Sequence, residues 1–278
     1  MSRFSTRLLD IRFVVGAALA LSVLFAAIFA PWLAPYPPND QDLLNMLVPP
    51  IWAGGSMEHV LGTDSLGRDT LSRLLYGARI AMFVAFFAST GAMLLGAVLA
   101  NLAGYFGGRI DWLISRLVEI WLSFPPVVLS MLLIIGLGIG IDKVILAIVL
   151  VDWTRFCRVL RSDVQVVRRK DYVAFARLIG FSDLRIMTRE ILPATLPMLI
   201  TLFSLQMGIS VVVEAILSFV SMGVPPNVPG WGQMIADARM DVYSAPWGLV
   251  LPIAAIFLTV LGFNLLGDGL RRVLDPRD

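Results

Sequence analysis

Histidine and cysteine are nearly missing: the 278 residues hold one of each, His59 and Cys157. A single cysteine closes no internal disulfide, so oxidation adds nothing to the fold. A single histidine makes a poor metal centre, which draws on several His, Cys or carboxylate ligands. His59 is therefore expected to be solvated or packed, with no metal site in the chain. The same scarcity argues against a membrane-embedded hydrolase, which needs a paired base and nucleophile or a metal cluster within its spans. Lysine is as rare. Lys143 and Lys170 are the only two, followed by Val144 and Asp171, so neither can end a G-x-x-x-x-G-K-[ST] phosphate loop. The chain does not hydrolyse ATP and is not expected to be an enzyme or to carry a cofactor. Charged residues make up 15% of it, against roughly 25% in a soluble domain.

What fills the space is apolar: 58% of the residues are hydrophobic and the mean hydropathy is +0.83. The apolar residues fall in blocks of about 20 or more, the length that crosses a ~30 Å hydrocarbon core. The pattern predicts an all-α integral membrane protein with about six spans, near 13–34, 80–104, 112–136, 141–156, 193–221 and 247–270. The first block is long for the apolar region of a signal peptide and ends at Pro31-Trp32, which favours an uncleaved helix. In the second, Ala88, Ala92, Gly96, Ala100 and Gly104 place a small residue at every fourth position, the pattern that lets helices approach closely in lipid. The domain reading is a tail at 1–12 followed by one transmembrane domain over 13–278. Loops fall near 35–79, 157–192 and 222–246.

The net charge of +2 matters less than where it sits. Arg155, Arg158, Arg161, Arg168, Arg169, Lys170, Arg177, Arg185 and Arg189 crowd one interval, and Arg3, Arg7, Arg12, Arg271, Arg272 and Arg277 mark both ends. Between membrane spans such clusters signal the cytoplasmic side rather than nucleic acid. An even number of spans puts both termini on that side with 157–192, and 35–79 and 222–246 opposite. No inverted repeat of the kind common in secondary transporters is visible.

The charged interruption "RRKDYVAFARLIGFSDLRIMTREILP" (168–193) reads as two short helices joined at a glycine. Asp171 is placed to cap the first, Gly180 to close it in the left-handed conformation, and Ser182 to cap the second. Phe181 and Ile186 stand at the two positions of a hydrophobic staple. Tyr172, Val173, Phe175, Leu178, Ile179, Phe181, Leu184 and Met187 are too many apolar residues for a solvated loop. The residues alone allow two readings: an elbow docked on another protein, or an amphipathic helix on the membrane surface.

The segment resembles the cytoplasmic coupling loop of ABC importer permeases, Glu-Ala-Ala, three residues, Gly, then a run ending in Leu-Pro. Ala176, Gly180 and Leu192-Pro193 take those positions. Further blocks resemble the C-type permease of the dipeptide, oligopeptide and nickel importers: "LGTDSLGRDTLSRLLYGARI" (61–80), "FPP" (124–126), "EAILSFVSMGV" (214–224), "PGWGQMIADAR" (229–239) and "NLLGDGLRRVLDPR" (264–277). The resemblance implies a type I importer permease fold with a cytoplasmic helix-turn-helix coupling loop, in a bacterial-type inner membrane. It implies a second, homologous permease and two ATP-binding subunits that hold ATP and magnesium. It also implies an extracytoplasmic substrate-binding protein and coupling through Asp171, Tyr172, Phe175, Ala176, Leu178, Gly180, Phe181 and Leu184. Di- or oligopeptides are the first expectation for cargo, with nickel complexes, glutathione or opines as alternatives. The loop departs from the pattern at Ala174 and Phe175, where the family has Glu and Ala, and at Glu190, where a histidine is common.

Four more residues interrupt the apolar runs. Glu119 and Glu214 are acids at membrane depth, which mark either a pathway or a bond to a neighbouring helix. Pro125 and Pro126 remove backbone donors and are expected to kink the third span. Asp64, Arg68 and Asp69 read as a loop ion-pair network. A homo-oligomeric channel or secondary transporter is the rival of another class.

Overall fold

The computed structural model describes residues 11–225 and 227–274. Arg3 and Arg7 of the expected tail, and Arg277, lie outside the described residues. The regular elements described are helices: α1 (Ile11–Leu33), α2 (Thr70–Phe106), α3 (Gly108–Leu122), α4 (Pro126–Leu137), α5 (Ile141–Val167), α6 (Asp171–Leu178), α7 (Asp183–Ile186), α8 (Leu192–Phe219), α9 (Trp231–Ala238) and α10 (Trp247–Leu274). A π-helical turn, Met187–Ile191, joins α7 to α8 without a break.

α1, α2, the run Asp183–Phe219 and α10 are each long and apolar enough to cross a membrane, and α3 with α4 passes as a pair bent by 91°. α5 is not among them, because Asp152, Arg155, Arg158 and Arg161 fall inside it. Its course is nevertheless fixed by its neighbour. Gly91 faces Val149, Gly96 faces Trp153 and Phe156, and Gly104 faces Val164. The two series of numbers rise together, so α2 and α5 run parallel. A chain that leaves α2 at one end must return to the other before α5 can start, and α3 with α4 makes that return. Among the described residues the bundle thus makes six passes, five of them apolar enough to cross a membrane when the bent pair counts as one, and one charged.

Sequence chemistry explains the closeness of α2 and α5. All five small residues of the stripe are buried. A β-carbon at Gly96 would stand 2.5 Å from Phe156 Cβ and 2.6 Å from the Trp153 carbonyl oxygen. Lipid offers no hydrophobic gain for helix association, so this backbone-to-backbone approach supplies dispersion contacts that larger side chains would prevent. α1 and α10 pair antiparallel by the same device. Gly262 faces Leu19 and Gly269 faces Phe13, with room for no side chain. The first apolar helix is therefore packed into the bundle.

Several boundaries differ from the sequence expectation. α2 starts at Thr70, inside the expected 35–79 loop, because Asp69 caps it by accepting a hydrogen bond from Ser72 N at 2.8 Å. At 37 residues it is about 55 Å long, well beyond a ~30 Å core, so its first turns stand clear of the apolar layer. The third span is broken rather than kinked. Pro125 and Pro126 become the N-cap and first residue of a new helix, since neither offers an N–H to continue the old one. The expected loop at 157–192 opens later, because α5 continues to Val167.

Replacing Gly96 by Leu should abolish recovery of folded protein in detergent, whereas Gly136→Ala, where nothing lies within 4 Å, should be neutral or raise stability by about 0.5–1 kcal/mol. Thermal melting of the two purified variants beside wild type checks both.

Candidate functional site

The elbow between α5 and α8 is built as a rigid corner. α6 ends in a Schellman arrangement: Phe181 N donates to the Ala176 carbonyl and Gly180 N to that of Arg177, both at 3.1 Å. The reversal puts Gly180 at φ +86°, where a side chain would be strained. Ser182 then caps α7, its hydroxyl accepting from Arg185 N at 3.4 Å. Two details depart from the expected corner. Asp171 is the first residue of α6 and not its cap, which is Lys170, without a side-chain hydrogen bond. The second arm is also no short helix. It is the first turn of a rod running from Asp183 through the π turn to Phe219.

Tyr105, at the end of α2, pins both arms. Its hydroxyl donates to Asp183 Oδ1 on α7 and accepts from an Arg177 guanidinium nitrogen on α6 at 3.1 Å. The Arg177 and Arg168 guanidinium groups lie 5.4 and 5.7 Å from the Tyr105 ring centroid, within cation–π range. The tyrosine hydroxyl holds the Arg177 guanidinium above its ordinary pKa, so the clasp keeps its charge at any physiological pH. No sequence motif announced Tyr105. Its role exists only because the fold brings residues 105, 177 and 183 together.

Held this way, α6 is apolar on both sides. Val173 and Ala176 face the bundle and are buried. Ala176, expected among the coupling residues, thus serves the interior. The opposite side presents Phe175 and Leu178 at 63% and 84% exposure, with Tyr172 on the same helix, and Ile179 after it and Leu184 on α7 extend the bare apolar surface. Burial and then the charge of Glu190 raise the Tyr172 pKa, so the phenol stays neutral. Phe181 is covered by Arg185, whose guanidinium carbon sits 3.9 Å from the ring centroid. An apolar helix face is stable when it is buried; this chain covers the Val173–Ala176 side of α6 and leaves the Phe175–Leu178 side bare.

Residues 92–277 match the family described as the inner membrane component of binding-protein-dependent transport systems. The chain belongs to that family. Residues 12–50 match the N-terminal transmembrane domain of oligopeptide transport permease C. The chain is 39% identical over 264 residues to the dipeptide transport system permease protein of Alkalihalophilus pseudofirmus, covering 95% of this chain and 85% of the relative. It is 40% identical over 267 residues to the glutathione transport system permease protein of Shigella dysenteriae, covering 95% and 86%. The Pectobacterium atrosepticum glutathione permease is 38% identical over 278 residues, covering 99% and 90%. The chain is an ABC importer permease of the type I fold and a multi-pass inner membrane protein.

The permease keeps a second polar assembly at the far end of the bundle. Asp64 and Asp237 are shared by two arginines. Arg68 reaches them at 2.7 and 2.9 Å, while Arg73 pairs with Asp64 and reaches Asp237 at 3.1 Å. Asp64 and Arg68 were read from the sequence as a network, but Arg73 and Asp237 were not. Asp69 stands apart from it, paired with His59 Nδ1 at 3.0 Å, which makes His59 a packed residue. Glu214 is buried in α8, where it accepts from Ser218 Oγ at 2.7 Å. That hydroxyl in turn accepts from Val224 N at 3.3 Å, so the acid holds the turn after α8. Glu119, by contrast, lies 59% exposed on α3 beside Arg116. Sequence reading also passed over Asp152, which is buried in α5 and accepts from Gln206 Nε2 at 2.6 Å, joining α5 to α8.

Tyr105→Phe should loosen the elbow by about 0.5–1.5 kcal/mol, the usual net worth of one intramolecular hydrogen bond, since Arg177 and Asp183 keep access to water. Amide exchange across 171–186 should speed up while that of α2 and α5 is unchanged. Asp237→Asn leaves two arginines sharing one carboxylate and should lower the melting temperature, by about 3 kcal/mol of stability if the pair behaves as buried ion pairs do.

Proposed function

We propose that the permease is one half of the membrane pathway of an ATP-driven importer for short peptides. It pairs with a second, homologous permease, and two ATP-binding subunits supply the hydrolysis. The basic elbow and both termini lie on the cytoplasmic side, as the positive-inside rule places them. A binding protein delivers cargo to the opposite face, where the 34–69 segment and α9 form the ion-paired assembly. The observation that carries this reading is the half-covered α6. An ATP-binding subunit is the partner that its apolar outer side and the family both call for. A membrane-surface role suits it less, because α6 is held by Tyr105 at a corner and not free to lie flat. Closure of the ATP-binding subunits then moves the bundle as a body, an alternating-access change of the rigid kind. Dipeptides and glutathione, named for its relatives, share the chemistry of a short peptide-bonded zwitterion.

Purification through a tag distant from 171–192, from gently solubilised membranes, should bring down a second permease and one or two phosphate-loop ATPases. Recovery of the chain alone or only with its own copies overturns the reading. Leu178→Asp, on the exposed side of α6, should cut ATPase recovery and uptake by about ten-fold or more, as loss of a central apolar anchor does, without changing the melting temperature of the permease itself.

A further inference from the structure

The helix break at Pro125 lies at the middle of the bundle, and its surroundings are wrong for lipid. Depth follows from contacts already described. α3 runs antiparallel to α5: Asp111 pairs with Arg161 near one end, at 2.7 Å for one of its two bonds, and Trp121 Nε1 donates to the Leu150 carbonyl at 2.6 Å near the other. Val149, beside Leu150, faces Gly91 of α2. Gly91 sits about 11 residues, or roughly 16 Å, into the apolar stretch that starts at Ile80, close to half of a ~30 Å core.

Two to five residues from Trp121 toward the Asp111 end, Arg116 and Glu119 form an ion pair whose side chains are 58% and 59% exposed. Ser123, Phe124 and Pro125, between the two half-helices, are exposed as well. A charge turned to hydrocarbon costs about 2.5–3.5 kcal/mol or more, and non-helical backbone at membrane depth persists only against protein or water. Behind this face, between α3 and α5, lies a cavity of about 310 Å³ lined by Ser115, Glu119, Ser123, Arg158 and Arg161 among others. That volume lies at the lower end of the range for small-molecule pockets. Two of its polar groups are uncommitted. The buried Ser115 hydroxyl has no hydrogen-bond partner, and Arg158 has no ion-pair partner among the described residues. Arg161, by contrast, is spent on Asp111.

We propose that this face is a wall of the substrate passage and grips the two charged ends of a short zwitterionic substrate. Glu119, exchanging the Arg116 guanidinium it holds in this structure, and the carbonyl end of α3 receive the ammonium group, since a helix C-terminus favours positive charge. Arg158 and the Ser115 hydroxyl receive the carboxylate. The half-helix ends serve here as they do in other transporters with broken spans at mid-depth. The proposal rests on the importer reading above and names the substrate-contacting residues of that pathway.

The test uses the complete co-purified complex in proteoliposomes, with alanyl-alanine as substrate. The native thiol, Cys157, lines the same cavity, so the labelling is done in a Cys157→Ser background. Ser123→Cys should react with a charged, membrane-impermeant thiol reagent, and saturating dipeptide should slow that reaction several-fold. Reaction only with a lipid-soluble maleimide would place the break against the bilayer. Reaction with neither would place it under the partner permease. Either outcome overturns the passage. Glu119→Gln and Arg158→Gln should each raise the dipeptide concentration for half-maximal uptake about ten-fold, the scale of one lost charged hydrogen bond, and Glu119→Asp should recover part of it. A fall in maximal rate with no change in that concentration speaks for a structural role and against the proposal. Because the complex must first assemble with ATPases, failure of the importer reading appears as missing subunits, before any labelling is done.

Discussion

The close parallel contact of α2 with α5 is the constraint on which the architecture turns. It exists because Gly96 and Gly104 let the two backbones approach where any side chain would collide. Once those helices lie side by side in one direction, the chain between them has to travel back, and 34 residues are available from Gly107 to Gly140. That return meets Pro125-Pro126 half-way, so it cannot be one straight helix. The same contact carries Asp152 and its arginine neighbours into the bundle, beside Gln206 of α8. A charged helix is tolerated there because small residues on α2 draw it inward and polar groups on α8 meet it.

Much of this was legible from one sequence. The apolar blocks gave the helices, and the four-residue spacing of small residues gave the face on which α2 packs. Gly180 and Ser182 gave the elbow, because a left-handed closure and an N-cap are local chemistry that neighbours do not override. The misreadings have physical causes too. Asp171 has the right side chain for a cap, but the helix began one residue earlier. Ser182 correctly marked a helix start, yet nothing in the following residues says whether that helix stops before the next span. The loop before α2 looked unstructured because its first turns carry polar residues, which proved to be the ion-paired partners of α9.

Contacts between distant segments were the least visible. Tyr105 is an ordinary tyrosine at the end of an apolar run until residues 177 and 183 fold back on it. Arg73 and Asp237 lie 164 residues apart and share one bond. Asp152 could be seen as an acid in a span, but its partner Gln206 could not be named. Of the two acids that did stand out, Glu214 is enclosed by its own helix and the following turn, whereas Glu119 is left on an outer face. Only the three-dimensional arrangement separates them.

The uninterrupted run from Asp183 to Phe219 has a mechanical meaning. At 37 residues it is a rod of about 55 Å whose lower tip is clamped to the elbow and whose upper tip carries the Glu214 turn and abuts α9. The run is one continuous helix with Pro197 inside it, so a tilt imposed at one tip is carried toward the other as a lateral swing. The π turn near its base sets the phase of the gearing. The extra residue it accommodates rotates everything above it by about 100° relative to the elbow. Insertion of a single residue in the regular helix above that turn would leave both ends intact and turn the outer half of the rod by about 100°.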